Sequence, residues 1–157
     1  MRQTMATVAL VALACGGERG GYPGATPGGQ AAAAPATLPA GAPPTGTVHE
    51  VRMQLVRGKY SFAPSSLTIK VGDTVRWINW SGGPHNVQFK KDKIPAAAAP
   101  VLNAAMPERM GELTGKFLID SLATYQVFFA NVPAGTYTYT CQPHEMLGMN
   151  GTLTVQP

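Results

Sequence analysis

Nine residues near the end of the chain, Cys141-Gln-Pro-His144-Glu-Met-Leu-Gly-Met149, constrain what the rest can fold into. A thiol, an imidazole and a thioether fall within one short stretch. Strand-like alternation flanks it on both sides, in Thr136 to Cys141 (TYTYTC) and in Thr152 to Val155. A loop between two strand ends can turn all three side chains toward one point. A further imidazole, His85, lies more than fifty residues upstream in Gly83-Pro84-His85-Asn86. For His85 to reach the same point, a distant loop must be folded against this one. The four donors therefore tie any bound metal to the tertiary structure.

Each of these residues alone has a plain structural reading. A lone cysteine in a strand is commonly a buried apolar residue, and a lone loop histidine is commonly solvated. Their joint spacing argues against both readings. Two imidazoles, one thiolate and one weak axial thioether are the donors of a blue-copper electron-transfer site. The thiolate and neutral imidazoles supply a trigonal plane, and the thioether adds a long fourth contact. That geometry lies between those preferred by Cu(II) and Cu(I), so little rearranges when an electron moves. His85, Cys141, His144 and Met149 are thus the candidate ligands, for one copper cycling between the two states. Met146 is a competing thioether, but it follows His144 too closely to return to the same point and is expected at the surface. Met106 and Met110 read as helix packing, and His49 as a solvated residue of the first strand. Trp77 and Trp80 read as core or core edge.

The chain divides into three parts. Residues 1–15, MRQTMATVALVALAC, place one Arg before an apolar run too short to span a bilayer. They read as a secretory signal. The ending Ala12-Leu13-Ala14-Cys15 resembles a lipoprotein cleavage site, which would leave Cys15 acylated and the protein attached to a membrane; simple secretory cleavage is the competing reading. Both imply export to the periplasm or cell envelope. Residues 16–46 are mostly Gly, Ala, Pro and Thr, bury too little apolar surface to offset ordering entropy, and read as a disordered tether. From residue 47 to 157 the pattern is short strands: Val48 to Val56, Leu67 to Val71, Thr74 to Trp80, Asn86 to Phe89, Lys116 to Ile119, Thr124 to Phe129, and the two flanking the metal loop, with Tyr60 to Pro64 a short extended piece. Residues 91–114, broken by Pro95, Pro100 and Pro107, are expected to form a loop with one or two short helical turns. About eight strands with turns between them predict an all-β, antiparallel β-sandwich with a short helical insertion.

Several motifs together resemble the plastocyanin and pseudoazurin branch of the cupredoxins. They are Cys141-x2-His144-x4-Met149, preceded by Gly135-Thr-Tyr-x-Tyr139 and followed by Gly151-x-Leu-x-Val155, and Pro84-His85-Asn86-Val87. Phe62-x-Pro64, Leu67-x-Ile69-x-Val71-Gly72-Asp73-Thr74-Val75, Trp77-x-Asn79 and Ile94-Pro95 extend the likeness over residues 58–157. The resemblance implies a Greek-key sandwich, a mobile one-electron carrier, and the ligand set His85, Cys141, His144 and Met149. It also implies that Asn86 tethers the cysteine-bearing loop. Two departures stand out. Thr140 precedes Cys141, where plastocyanins have a tyrosine that helps define a remote docking patch. Lys90-Lys91-Asp92-Lys93 falls where that family is often acidic. A partner that docks on negative charge does not suit this chain, and a bacterial respiratory or nitrogen-cycle carrier suits it better.

Composition narrows the remaining alternatives. The net charge of the chain is +4, and from Thr47 onward ten Lys/Arg face seven Asp/Glu without forming a basic stripe. Nucleic-acid binding is therefore not expected. A copper-delivery protein would expose copper on Met- and His-rich flexible segments, and a copper enzyme would need several further histidines. With His49 the one spare histidine, the chain reads as a non-enzymatic, monomeric carrier. His144 is expected to reach the surface within a flat patch of Pro143, Met146, Leu147 and Gly82-Gly83, suited to weak, transient docking of redox partners.

Overall fold

A computed structural model describes residues 46–157. The expected signal segment, Cys15 and the tether up to residue 45 lie outside the described residues. The described part forms eight strands: β1 (Val48–Val56), β2 (Lys59–Ala63), β3 (Ser66–Lys70), β4 (Thr74–Asn79), β5 (Gln88–Phe89), β6 (Thr124–Phe128), β7 (Gly135–Thr140) and β8 (Asn150–Gln156). They make two four-stranded sheets, in the orders β2-β1-β4-β6 and β3-β8-β7-β5.

Alternation decides which side chains face inward. In β1, Val51 and Met53 are buried while Glu50 and Arg52 are exposed; in β8, Gly151, Leu153 and Val155 are buried and Thr152 and Thr154 are less so. The inner faces meet on an aromatic layer. Trp77 of β4 packs edge-on against Tyr139 of β7, with ring centroids 5.5 Å apart, and against Phe89 of β5 at 6.2 Å. Such T-shaped pairs add to the stabilisation from burial itself.

The sandwich is as expected, but its pairings are not all antiparallel. β1 runs parallel to β4, and β3 runs parallel to β8. The chain makes a hairpin with β1 and β2, crosses to the other sheet as β3, and returns as β4 beside β1. A return by that route gives a parallel neighbour. Two expected strands are also shorter than the alternation indicates. The stretch from Asn86 pairs as a ladder at Gln88–Phe89 alone, and Lys116 to Ile119 contributes a single bridge, Leu118 to His85. Between β5 and β6 lie a short 3-10 turn (Lys91–Lys93) and one helix, α1 (Ala98–Ala105). Pro100 sits in the first turn of α1, where no intrahelical N–H bond is lost. Met106 ends α1 and is buried as expected, whereas Met110 is exposed rather than packed. Trp77 is fully buried, and Trp80 is an exposed edge residue beneath the Arg52 guanidinium, 4.2 Å from its ring centroid. Among the described residues no helix is long and apolar enough to cross a membrane.

Candidate metal centre

The turn after β7 is built so that its side chains converge. Cys141 is the last extended residue, and Gln142–Leu147 then coil as a 3-10 helix with Pro143 in its first turn. His144 N–H donates to the Cys141 carbonyl at 3.0 Å, which brings the imidazole back over the thiol. Gly148, in the left-handed region at φ 79°, reverses the chain into β8; a glycine reaches that conformation without steric penalty. The Met149 carbonyl then accepts from Cys141 N–H at 3.1 Å and from Thr140 Oγ1 at 2.9 Å, and Met149 N–H donates to the His144 carbonyl at 3.2 Å. Met149 is fully buried, and Met146, 95% exposed, points away as expected.

His85 arrives from the other side. It is fully buried, on the segment between β4 and β5. Its Nε2 lies 3.0 Å from the Ser81 carbonyl, and a carbonyl can only accept, so Nε2 carries the proton. The lone pair of Nδ1 is thereby directed at the cysteine. Asn86, the next residue, bridges to the metal loop: its Oδ1 accepts from Gln142 N–H at 2.8 Å and its Nδ2 donates to Gln142 Oε1 at 3.3 Å. The expected tether is in place.

Three donor atoms form a nearly equilateral triangle. Cys141 Sγ is 3.4 Å from His85 Nδ1 and 3.4 Å from His144 Nδ1, and the two nitrogens are 3.2 Å apart. Dividing a mean edge of about 3.3 Å by √3 puts the centre about 1.9 Å from each atom, close to metal–nitrogen bond lengths and somewhat short of metal–thiolate ones. A first-row metal ion fits this trigonal set with a slight opening at sulfur, and one thiolate with two imidazoles is a donor set suited to copper. All three residues are buried.

Electrostatics favour metal over protons. Burial lowers the His85 pKa, partly offset by its bond to Ser81. Burial, and then the neighbouring His85, lower that of His144. Both rings are thus held neutral, as ligands must be. Burial raises the Cys141 thiol, with the backbone N–H groups of Asn86 and His144 acting against it. Loading a metal therefore displaces a thiol proton.

Two features of the structure, one at the site and one away from it, were not legible in the sequence. Tyr60 of β2 stacks on His144 with centroids 3.7 Å apart and planes 10° from parallel. Its alternation marked it as a strand residue and nothing more. Asp73, absent from the candidate sites, organises the start of the domain: it accepts from Thr47 N–H, Lys70 N–H and His49 Nε2 at 2.8, 2.9 and 2.9 Å. His49 is thus partly buried in an ion-pair geometry and not simply solvated.

The loop around His144 exposes Pro143, Met146 and Leu147, the last 59% exposed. His144 itself keeps 8% of its surface. With Nδ1 turned inward, what remains for solvent is the opposite edge of the ring.

Residues 49–156 match the family described as copper binding proteins, plastocyanin/azurin family. Plastocyanin of Nostoc punctiforme is 38% identical over 110 residues, covering 69% of this chain and 73% of that protein. Plastocyanin of Scenedesmus fuscus is 40% identical over 106 residues, 68% of this chain and 97% of the relative. Among solved structures, oxidised plastocyanin from the fern Dryopteris crassirhizoma superposes with a TM-score of 0.53 at 28% identity, covering 69% of this chain and all of the fern chain. With a metal triangle of the right size held in a sandwich of the right topology, the chain belongs to the plastocyanin/azurin family of copper-binding proteins, and copper is its cofactor.

Proposed function

We propose that the protein is a one-electron carrier acting outside the cytoplasm, with His85, Cys141, His144 and Met149 as its copper ligands. The observation that carries this reading is the triangle of Cys141 Sγ and two Nδ1 atoms, buried on every side but the His144 edge. Bound copper supplies the one-electron couple. The chain supplies the rest. Ser81 fixes the tautomer of His85, Asn86 pins the loop carrying Cys141 and His144, and Met149 is positioned by backbone bonds to both Cys141 and His144. A donor set braced by hydrogen bonds rearranges little between oxidation states. His144 offers the short route from the centre to the surface.

The docking face suits an acidic partner. Tyr60 brings the β1–β2 hairpin against His144, and that hairpin carries Arg57 and Lys59, which have no carboxylate in ion-pair reach among the described residues. Glu145, on the metal loop, is neutralised by Lys90. The signal-like residues 1–15 and Cys15 support export and attachment to a membrane through acyl chains.

The test is direct. Purified protein given Cu(II) is expected to bind one copper per chain and turn intensely blue through thiolate-to-copper charge transfer. It should cycle reversibly with a one-electron reductant, and Cys141→Ser should be colourless. A colourless wild-type copper complex, or copper handed to an apo acceptor without redox cycling, overturns the reading, the second in favour of copper delivery.

A further inference from the structure

One buried amide near the site belongs to neither a ligand nor a neighbour of one in sequence. Asn79 ends β4 and is 2% exposed. Its Nδ2 lies 3.0, 3.2 and 3.0 Å from the carbonyl oxygens of Leu118, Ile119 and Asp120. Its own N–H donates to Ala123 O at 2.9 Å, and its carbonyl accepts from Leu122 N–H at 2.7 Å. Five contacts thus wrap the segment from Leu118 to Ala123 around one side chain and its peptide groups. Two donors shared among three carbonyls hold a turn where alternation alone would have run a strand.

That turn reaches the metal centre. Leu118 exchanges two backbone bonds with His85: His85 N–H to Leu118 O at 3.1 Å and Leu118 N–H to His85 O at 2.7 Å. Leu118 O therefore accepts from both His85 and Asn79. On its other side the Asn79 amide lies against the chain entering His85. A Cβ added at Gly83 would fall 2.7 Å from Nδ2 and 3.0 Å from Oδ1. The amide is wedged between the two segments that determine where the His85 backbone sits.

We infer that Asn79 is the positioning residue of His85: its amide folds residues 118–120 into the template that fixes the His85 backbone. The inference concerns the apo scaffold and rests on the functional reading only for its consequence at copper. Asn79→Asp is the sharpest probe, because it keeps the shape and replaces both donors by an acceptor facing three carbonyls. In copper-free protein, amide hydrogen exchange at His85 and Leu118 is expected to rise by roughly tenfold or more, while amides of β8 such as Leu153 stay unchanged. With copper, the ratio of the visible bands and the reduction potential should both move, as a displaced imidazole requires. Leu122→Ala, on the same turn but with an exposed side chain, should move none of these. Unchanged exchange at His85 and Leu118 in Asn79→Asp overturns the inference. Should that variant fail to fold, the wild-type protein decides: slow exchange of the Asn79 side-chain amide protons supports the assignment, and exchange at the free-amide rate overturns it. Because exchange is read without copper, a colourless wild-type complex would remove the proposed function and leave this result standing.

Discussion

The two imidazoles of the site are held in opposite ways. His85 is fully buried, with a proton fixed on Nε2 by Ser81 and its backbone bridged to Leu118. His144 sits in a 3-10 turn at the edge, its Nε2 without a hydrogen-bond partner among the described residues, and is steadied by the face of Tyr60. One is built into the scaffold. The other is packed by contact and left at the boundary with solvent. The difference separates two demands on an electron carrier. A ligand that fixes geometry needs directional bonds. A ligand that passes charge to a partner must keep an edge clear of them.

The largest expected effect breaks this asymmetry outright. His85→Gly leaves an interior cavity and removes one of the two donors to the Ser81 carbonyl, which keeps Leu55 N–H, so copper-free stability should fall by about 2–4 kcal/mol, mostly from the cavity. His144→Gly loses mainly a ring stack, for about 1 kcal/mol. Denaturant midpoints of the two variants measure the contrast. Added imidazole should restore colour to His144→Gly, whose gap opens to solvent, and not to His85→Gly. Equal rescue would mean that the two positions are equally accessible.

A smaller effect tests what the open edge is for. Leu147→Glu puts a carboxylate beside His144 in a patch expected to meet an apolar surface. Electron exchange with a protein partner should slow by about tenfold, with the visible spectrum nearly unchanged. Reversing Arg57 and Lys59 to Glu should slow oxidation by anionic hexacyanoferrate(III) and speed oxidation by a cationic cobalt complex, and added salt should flatten both changes. Stopped-flow rates at two ionic strengths settle it.

The same asymmetry explains what the sequence revealed. The Cys141–Met149 loop was legible because Cys141, His144 and Met149 are close in the chain, and local spacing survives any fold. His85 was legible through its flanking Pro84 and Asn86. The strands were legible wherever one face is buried, as in β1 and β8. What escaped are relations between segments far apart in the chain. The parallel pairing of β1 with β4 depends on the route between sheets. The turn at 118–120 has strand-like residues but is bent by an amide forty positions away. Tyr60 gives no sign in its own neighbourhood that it will lie on His144. His49 looks solvated until Asp73 is brought beside it. Met110 follows helix-like residues, but the helix ends at Ala105.

The pole of the domain that holds Asp73 offers a control that should not touch the metal. Burial would raise the Asp73 pKa, but the Lys70 N–H, His49 and the Thr47 N–H together bring it below the ordinary 3.8. A carboxylate with a lowered folded pKa contributes stability above its unfolded value and loses it as pH falls from there through the folded one. Stability should therefore decline below about pH 4, and Asp73→Asn should flatten that decline. The colour at neutral pH should be the same in both proteins.

The smallest effect concerns the proposed fourth ligand. Met149 and Met146 are thioethers in one loop, and they divide along the same line as the histidines. Met149 is fully buried, with its peptide groups bonded to Cys141, Thr140 and His144, while Met146 is almost fully exposed. An axial thioether donates weakly, so its removal should leave the blue Cys–His–His core in place. It should still shift the balance between oxidation states, because the lost donation stabilised Cu(II) more than Cu(I). Met149→Leu should remain blue and raise the reduction potential. Met149→Gln should lower it, since an amide oxygen suits Cu(II) better. Each shift of about 59 mV corresponds to a tenfold change in that balance, and voltammetry resolves far less. Met146→Leu should change neither colour nor potential. A potential that follows Met146 and ignores Met149 would place the axial ligand on the exposed side of the loop, and the division between braced interior and open edge would then fail at its fourth member.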